Sequence, residues 1–173
     1  MKTDIHKMKK IILMLFLFII LLSVNYSIYN KEKILMNGRT VFLELAPVDP
    51  RSLMQGDYMR LRYKIADNDK LKNTAETDGK IILKLDEHNV AEFVDIYDEN
   101  FKLEDNKILL RFRKRKYFVR LGAESFFFQE GHSKYYENAK YGELKIAEDG
   151  ESILTGLHDD KLNALKPLKE DNK

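Results

Sequence analysis

Between Lys10 and Lys31 the chain carries no charged side chain for 20 residues, and from Ile11 to Val24 it reads Ile-Ile-Leu-Met-Leu-Phe-Leu-Phe-Ile-Ile-Leu-Leu-Ser-Val. As an α-helix those residues measure about 30 Å, the hydrocarbon thickness of a bilayer. A helix that is apolar on every side suits lipid on every side, so residues 11–30 predict a transmembrane anchor in contact with the bilayer. Lys2, Lys7, Lys9 and Lys10 precede the run. That basic flank predicts a cytoplasmic segment over 1–10, with the bulk of the chain sent across to the periplasm or outer surface. A cleaved signal peptide has the same shape, but Ser23-Val24-Asn25-Tyr26-Ser27 offers no Ala-x-Ala-like site, which favours a retained signal-anchor. Tyr26 and Tyr29 suit an interfacial aromatic belt.

The remainder is long enough for one domain, expected over 31–166 with a polar tail over 167–173. A hydrophobic fraction of 44%, with 10 Phe and 9 Tyr, can fill its core. Residues 1–30 hold four Lys and one Asp of the 30 basic and 28 acidic residues, so the remainder carries 26 against 27. A domain that close to neutrality is not a nucleic-acid binder by charge. The absence of Cys excludes disulfides, thiolate metal sites and a lipidated Cys.

After the anchor the apolar pattern has period two. Val41, Leu43 and Leu45 alternate with more polar neighbours until Pro47 and Pro50, which cannot donate to a ladder. Met59, Leu61, Tyr63 and Ile65 then share one face of a second strand, and Tyr58, Arg60, Arg62 and Lys64 the other. The same parity turns Asp57 inward, toward backbone amides of the turn at 51–55. Residues 67–79 read as a short helix or loop. Ile81–Leu85 and Val90–Tyr97 form a hairpin about Asp86–Asn89, and Ile108–Arg113 and Tyr117–Leu121 a second hairpin with the basic tip Lys114-Arg115-Lys116. Ser125–Phe128 reads as a strand, Ser133–Tyr141 as a short amphipathic helix ended by Gly142, and Leu144–Ala147 with Ile153–Leu157 as a last pair. The expected fold class is mainly β: an antiparallel sandwich or partly open barrel with one or two short helices, behind a single transmembrane helix.

The stretch from Asp49 to Tyr63 contains Gly56-Asp57-Tyr58-x-x-Leu61-x-Tyr63 and resembles the signature of the GDYxxLxY domain family. A second stretch, with Arg120, Gly122 and Glu124 followed by aromatic residues and Glu130-Gly131, is similar to a second block of that family. Asp49, Arg51, Gly56, Asp57, Tyr58, Leu61, Tyr63, Arg120, Gly122, Glu124, Glu130 and Gly131 are the motif residues so matched. Leu121 departs from the family, which commonly has an aromatic there. The resemblance implies a membrane-anchored, extracytoplasmic bacterial protein, often encoded beside polytopic membrane proteins, which makes a polytopic membrane protein a candidate partner.

Three chemical readings compete. Ser52 with Gly56-Asp57 distantly resembles the Ser-Met…Gly-Asp arrangement of membrane-anchored signal peptidases, which makes Ser52 and Asp57 candidate catalytic residues of an envelope hydrolase. That chemistry needs a desolvated Lys as base, and Lys64 and Lys84 fall on polar strand faces; the plainer reading makes Ser52 a turn cap. Asp49, Asp57, Glu124 and Glu130 are carboxylates that could gather about a metal or work as acid and base, against a structural role in which Asp49 and Asp57 hold turns and Glu124 pairs with Arg120 or Arg51. The scattered His88, His132 and His158 make no zinc pattern, so no metal or other cofactor is expected. Third, residues 86–105 carry eight acidic side chains against Lys102, and 107–120 carry seven basic ones. Either the blocks pair across a sheet face, or Arg111, Arg113, Lys114, Arg115 and Lys116 form a basic patch for anionic headgroups, an anionic wall polymer or an acidic partner loop. Tyr58, Arg60 and Arg62 form a second candidate binding set, while Tyr135, Tyr136, Tyr141 and Phe126–Phe128 read as core. With no nucleophile beside a visible base, the expected role is a non-catalytic binding or accessory subunit of a membrane assembly, with a passive spacer as a further reading.

Overall fold

In the computed structural model, which describes residues 2–47, 58–98, 104, 106–116 and 118–167 and side chains from residue 8, the helix α1 runs unbroken over Lys2–Asn37. Its apolar side chains from Ile11 to Val24 are exposed all round. Among the described residues it is the one helix long and apolar enough to cross a membrane, and it fits a single-pass anchor. The helix enters the domain without a linker. Ile34 is buried, the Gly38 amide donates to the Ile34 carbonyl at 2.8 Å, and β1 begins at Arg39.

The strands are β1 (Arg39–Glu44), β2 (Tyr58–Arg60), β3 (Asp78–Leu85), β4 (Ala91–Ile96), β5 (Lys107–Arg115), β6 (Phe118–Arg120), β7 (Ser125–Phe127), β8 (Tyr141–Ile146) and β9 (Ser152–His158), counted among the described residues. A short 3₁₀ turn at Lys64–Asp67 leads into α2 (Asp69–Asn73), whose N-cap Asn68 accepts from the Lys70 amide. Every strand pair is antiparallel, in the orders β1-β8-β9, β2-β7 and β4-β3-β5-β6. Two bridges bend the larger sheets into one half-barrel. The β8–β9 turn docks on β5 where the Arg111 amide donates to the Gly150 carbonyl at 2.9 Å, and β1 meets the entry of β4 where the Phe42 amide donates to the Asn89 carbonyl at 2.9 Å. The β2–β7 ribbon is tied on through Leu61 N–H to Glu124 C=O, 2.9 Å, and Ala46 N–H to Arg62 C=O, 2.7 Å. Of the two architectures expected from the alternation, sandwich or partly open barrel, this is the partly open antiparallel barrel.

The core is what period two dictates: Val41 and Leu43 of β1, Ile81 and Leu83 of β3, Leu110 of β5 and Leu144 of β8 are fully buried in one cluster. Each such side chain contributes about 1.5–3 kcal/mol by leaving water. Met59, Leu61, Tyr63 and Ile65 are all buried, and Arg60, Arg62 and Lys64 exposed, as their parity predicts.

Three local expectations need correction. The strand over 59–65 stops at Arg60; the chain stays extended to Tyr63, which bridges Leu45, and then turns into the 3₁₀ helix. Residues 133–141 form only a 3₁₀ turn, Ser133–Tyr136, and Gly142 is no helix cap but the second residue of β8, opposite Leu43 of β1 and Leu157 of β9. Finally, the acidic and basic blocks do not pair across a sheet face, because β3 lies between β4 and β5; among the described residues they meet end to end in sequence, where Lys107 pairs with Glu104 at 3.0 Å. β4, with Glu92 and Asp95, lines one edge of β3 and β5 lines the other. Asp95 pairs instead with Lys70, and Glu92 stands opposite Lys84.

Candidate functional site: a basic cleft at the base of the anchor helix

The two motif blocks meet in space. Tyr63 is 1% exposed and its phenol donates to the Ala123 carbonyl at 2.7 Å, so the last residue of the first block is fastened to the turn of the second. Burial pushes that phenol far above its ordinary value of 10.0, and the Glu124 carboxylate raises it further. In the second block Gly122 takes φ +86°, the left-handed region that glycine enters without steric cost. The carboxylate Oε1 of Glu124 closes this turn by accepting from the Leu121 amide and, at 3.1 Å, from the Gly122 amide. Glu124 therefore acts on backbone, and among the described residues it forms no ion pair with Arg120 as the sequence suggests. We expect Glu124→Ala to cost about 1–3 kcal/mol by stranding two amides, and Glu124→Gln, which keeps an acceptor, distinctly less. Urea denaturation of the full chain in detergent checks this; equal effects of the two substitutions would remove the turn-closing role.

Beside this turn lies an open cleft of about 700 Å³ between the base of α1 and the outer face of the β3–β5–β6 sheet. Arg111, Arg113 and Arg115 of β5 project onto that face, with Lys80 of β3 and Arg120 of β6. Asp149 pairs with Arg111, and Asp78 with Arg113 at 2.7 Å. Lys31 of α1 closes one wall, its Nζ 2.5 Å from Glu151 Oε1. Lys114 has the opposite parity. It faces α2 and is half-buried, its Nζ donating to the Thr74 carbonyl, so it leaves the expected patch. Lys116 occupies the turn at the hairpin tip with φ 55°.

The second expected set is separate. Tyr58, Arg60 and Arg62 do not line the cleft; Tyr58 stacks obliquely on Phe127 at 5.8 Å, and Arg62 pairs with Asp67 at 2.5 Å. Burial pushes the Asp67 carboxyl up, but hydrogen bonds from Arg62 and Lys72 outweigh it and hold the group below its ordinary value. The aromatic run is split: Tyr136 is buried against Phe126 and Phe128, whereas Phe127 and Tyr135 are exposed. Glu130 and Gly131 belong to an exposed turn closed by the His132 amide on the Gln129 carbonyl.

Asp49, Arg51, Ser52, Gly56 and Asp57 lie outside the described residues, so the hydrolase and carboxylate readings stand on sequence alone there. Lys64 is exposed and pairs with Glu44 at 2.9 Å, and Lys84 is exposed. Among the described residues no three His, Asp or Glu side chains come together as metal ligands.

Sequence reasoning missed Lys31, Lys80 and Glu151 as cleft residues. Lys80 was within reach, since pairing the polar face of β3 with that of β5 puts it opposite Arg111. In the sequence His158 is weighed only as a zinc ligand; it is buried, lies edge-on to Phe42 at 5.0 Å and has Nε2 3.3 Å from Glu143 Oε2, with no partner for Nδ1 among the described residues. A lone His in an alternating strand carries no sequence signal.

No curated protein and no solved structure matches the chain. The model of the family described as GDYXXLXY protein matches residues 20–157, which takes in the end of α1, both blocks and the cleft. The chain belongs to the GDYXXLXY protein family.

Proposed function

We propose that this is a single-pass membrane protein with its N-terminus in the cytoplasm, whose domain stands outside the cytoplasm as a binding subunit of a membrane assembly. The observation that carries the reading is the basic face at the foot of α1. Lys80, Arg115 and Arg120 have no acidic partner among the described residues, although they share one cleft. Surfaces built for folding alone neutralise such groups or scatter them, and an excess of one sign in a concave site favours an oppositely charged ligand. The linker-free junction at Gly38 supports a domain presented at a set height and angle, which a passive spacer does not need.

The absence of Cys makes the natural chain a ready background for topology labelling. In intact cells a membrane-impermeant maleimide is expected to label Asp160→Cys and to reach Thr3→Cys only after lysis. The reverse pattern would sink the orientation. The subunit reading is checked by isolating the full chain in mild detergent: a polytopic protein should copurify with it at fixed stoichiometry, and a chain that purifies alone removes this reading.

A further inference from the structure

The cleft has two features that a merely solvated basic face lacks. The first is its register. Lys80 stands directly opposite Arg111 across β3 and β5, and Arg113 directly opposite Arg120 across β5 and β6. Like charges at facing positions destabilise a sheet. Asp149 and Asp78 relieve Arg111 and Arg113, but Lys80, Arg115 and Arg120 keep their charge uncompensated among the described residues. The face is thus held in an arrangement that a bound anion improves.

The second feature is depth. Lys31 is the first charged residue after the uncharged run and lines the same cleft. If residues 11–30 fill the hydrocarbon, Lys31 sits within the polar layer, which is roughly 5–8 Å thick on each side of a bilayer. Phe118 stands opposite the cleft residue Arg115 in the β5–β6 register and is 73% exposed, an apolar ring next to a basic position. Rings and Arg side chains so placed are what an interfacial surface uses. A soluble polymer or a protein loop would have to reach the cleft from the solvent side. With residues 11–30 in the hydrocarbon, the wall of the cleft at Lys31 lies at headgroup height.

We infer that the cleft binds the phosphate of an anionic lipid headgroup from the leaflet in which α1 ends, held by Lys80, Arg115 and Arg120. The inference rests on the membrane-spanning part of the proposed function but not on its orientation.

The test uses the full chain in detergent micelles with equal amounts of phosphatidylglycerol and phosphatidylcholine, the lipids retained being counted by native mass spectrometry. The wild type is expected to prefer phosphatidylglycerol by at least tenfold and up to about a hundredfold, the scale expected when three cations each favour an anionic surface. The triple variant Lys80→Gln, Arg115→Gln, Arg120→Gln should lose that preference and melt at the same temperature or higher, because opposed like charges have been removed. A control that removes equal charge elsewhere, Lys140→Gln, Lys161→Gln, Lys166→Gln, should keep the preference. If the triple variant fails to fold, Arg115→Gln alone is read in the same way, since that side chain is exposed near the hairpin tip. Retention of phosphatidylglycerol by the cleft variant, its equal loss in the control, or no lipid preference in the wild type would each overturn the inference. Inorganic phosphate separates the two sources of the anion: if it alone displaces phosphatidylglycerol at equal concentration, the ligand is free phosphate and the lipid assignment falls. Maleimide labelling reports orientation independently, so a reversed topology with an intact lipid preference would remove the proposed placement and leave the cleft assigned to the other leaflet.

Discussion

Replacing Tyr63 with Ala is expected to cost the folded domain about 3–5 kcal/mol, the range for deleting a large buried ring, against a total of about 5–15 kcal/mol for a typical domain. The ring is among the largest fully buried side chains, and its hydroxyl is the tie between the two motif blocks. Tyr63→Phe isolates that tie. It keeps the ring but leaves the Ala123 carbonyl without its donor, so about 1–2 kcal/mol should be lost. The two forms also separate by pH. Because the folded phenol titrates above its unfolded value, the stability it contributes is fully present below about pH 10 and is lost as the pH rises further, by about 1.4 kcal/mol per unit. The Phe variant lacks this loss. Urea midpoints of both proteins at pH 8, 10 and 11 should therefore converge with rising pH, and a gap that stays constant would show that the hydroxyl is not buried as described.

A second substitution attacks the same contact from the other side. Glycine inside a strand is ordinarily a weakness, worth about 0.5–1 kcal/mol relative to Ala, and filling an open position would be expected to stabilise. Gly142 is not open. A Cβ there would lie 3.0 Å from Cε1 and 3.2 Å from Oη of Tyr63, and 3.3 Å from Cδ1 of Leu154. Since the ring is buried and its hydroxyl engaged, it has little freedom to retreat. Gly142→Val should destabilise by about 1–3 kcal/mol, and part of that loss should be recovered in the Tyr63→Ala background, where the ring no longer competes for the space. Strictly additive losses in the double variant, or a Gly142→Val single that melts higher, would show that ring and strand do not press on each other.

These two residues also mark how far the order of residues could be read. The inward face of Met59, Leu61, Tyr63 and Ile65 follows from side chains alternating along an extended chain, and this holds even though the hydrogen-bonded strand ends at Arg60. Alternation depends on backbone extension alone, whereas pairing depends on a neighbour, which is why parity was legible and strand length was not. The tie of Tyr63 to Ala123 and its seat on Gly142 had no local sign. In a window about residue 142, glycine reads as a helix terminator; only the close approach of a ring from another part of the chain explains it as a strand residue.

The cleft divides in the same way. Arg111, Arg113 and Arg115 announce themselves by spacing, and the basic tip stands out by composition. Lys114 adjoins them in sequence, but at period two it belongs to the other face and reaches Thr74 instead. The acidic block beside it in sequence suggests pairing across a sheet face, which the order β4-β3-β5-β6 prevents by inserting a strand between β4 and β5. Arg120 was visible as a motif residue and not as a partner of Arg113, because that pairing needs the register of β5 and β6.

From the order of amino acids alone come the apolar helix, the β-rich class, the inward and outward faces of each strand and the family, since each rests on local periodicity or on a contiguous motif. The tertiary structure decided that Glu124 closes a turn, that Tyr63 is packed on Gly142, and that Lys31 and Lys80 join four arginines in one cleft at the foot of the anchor helix. Those outcomes depend on sheet order and register, which are chosen by the packing of distant segments against one another.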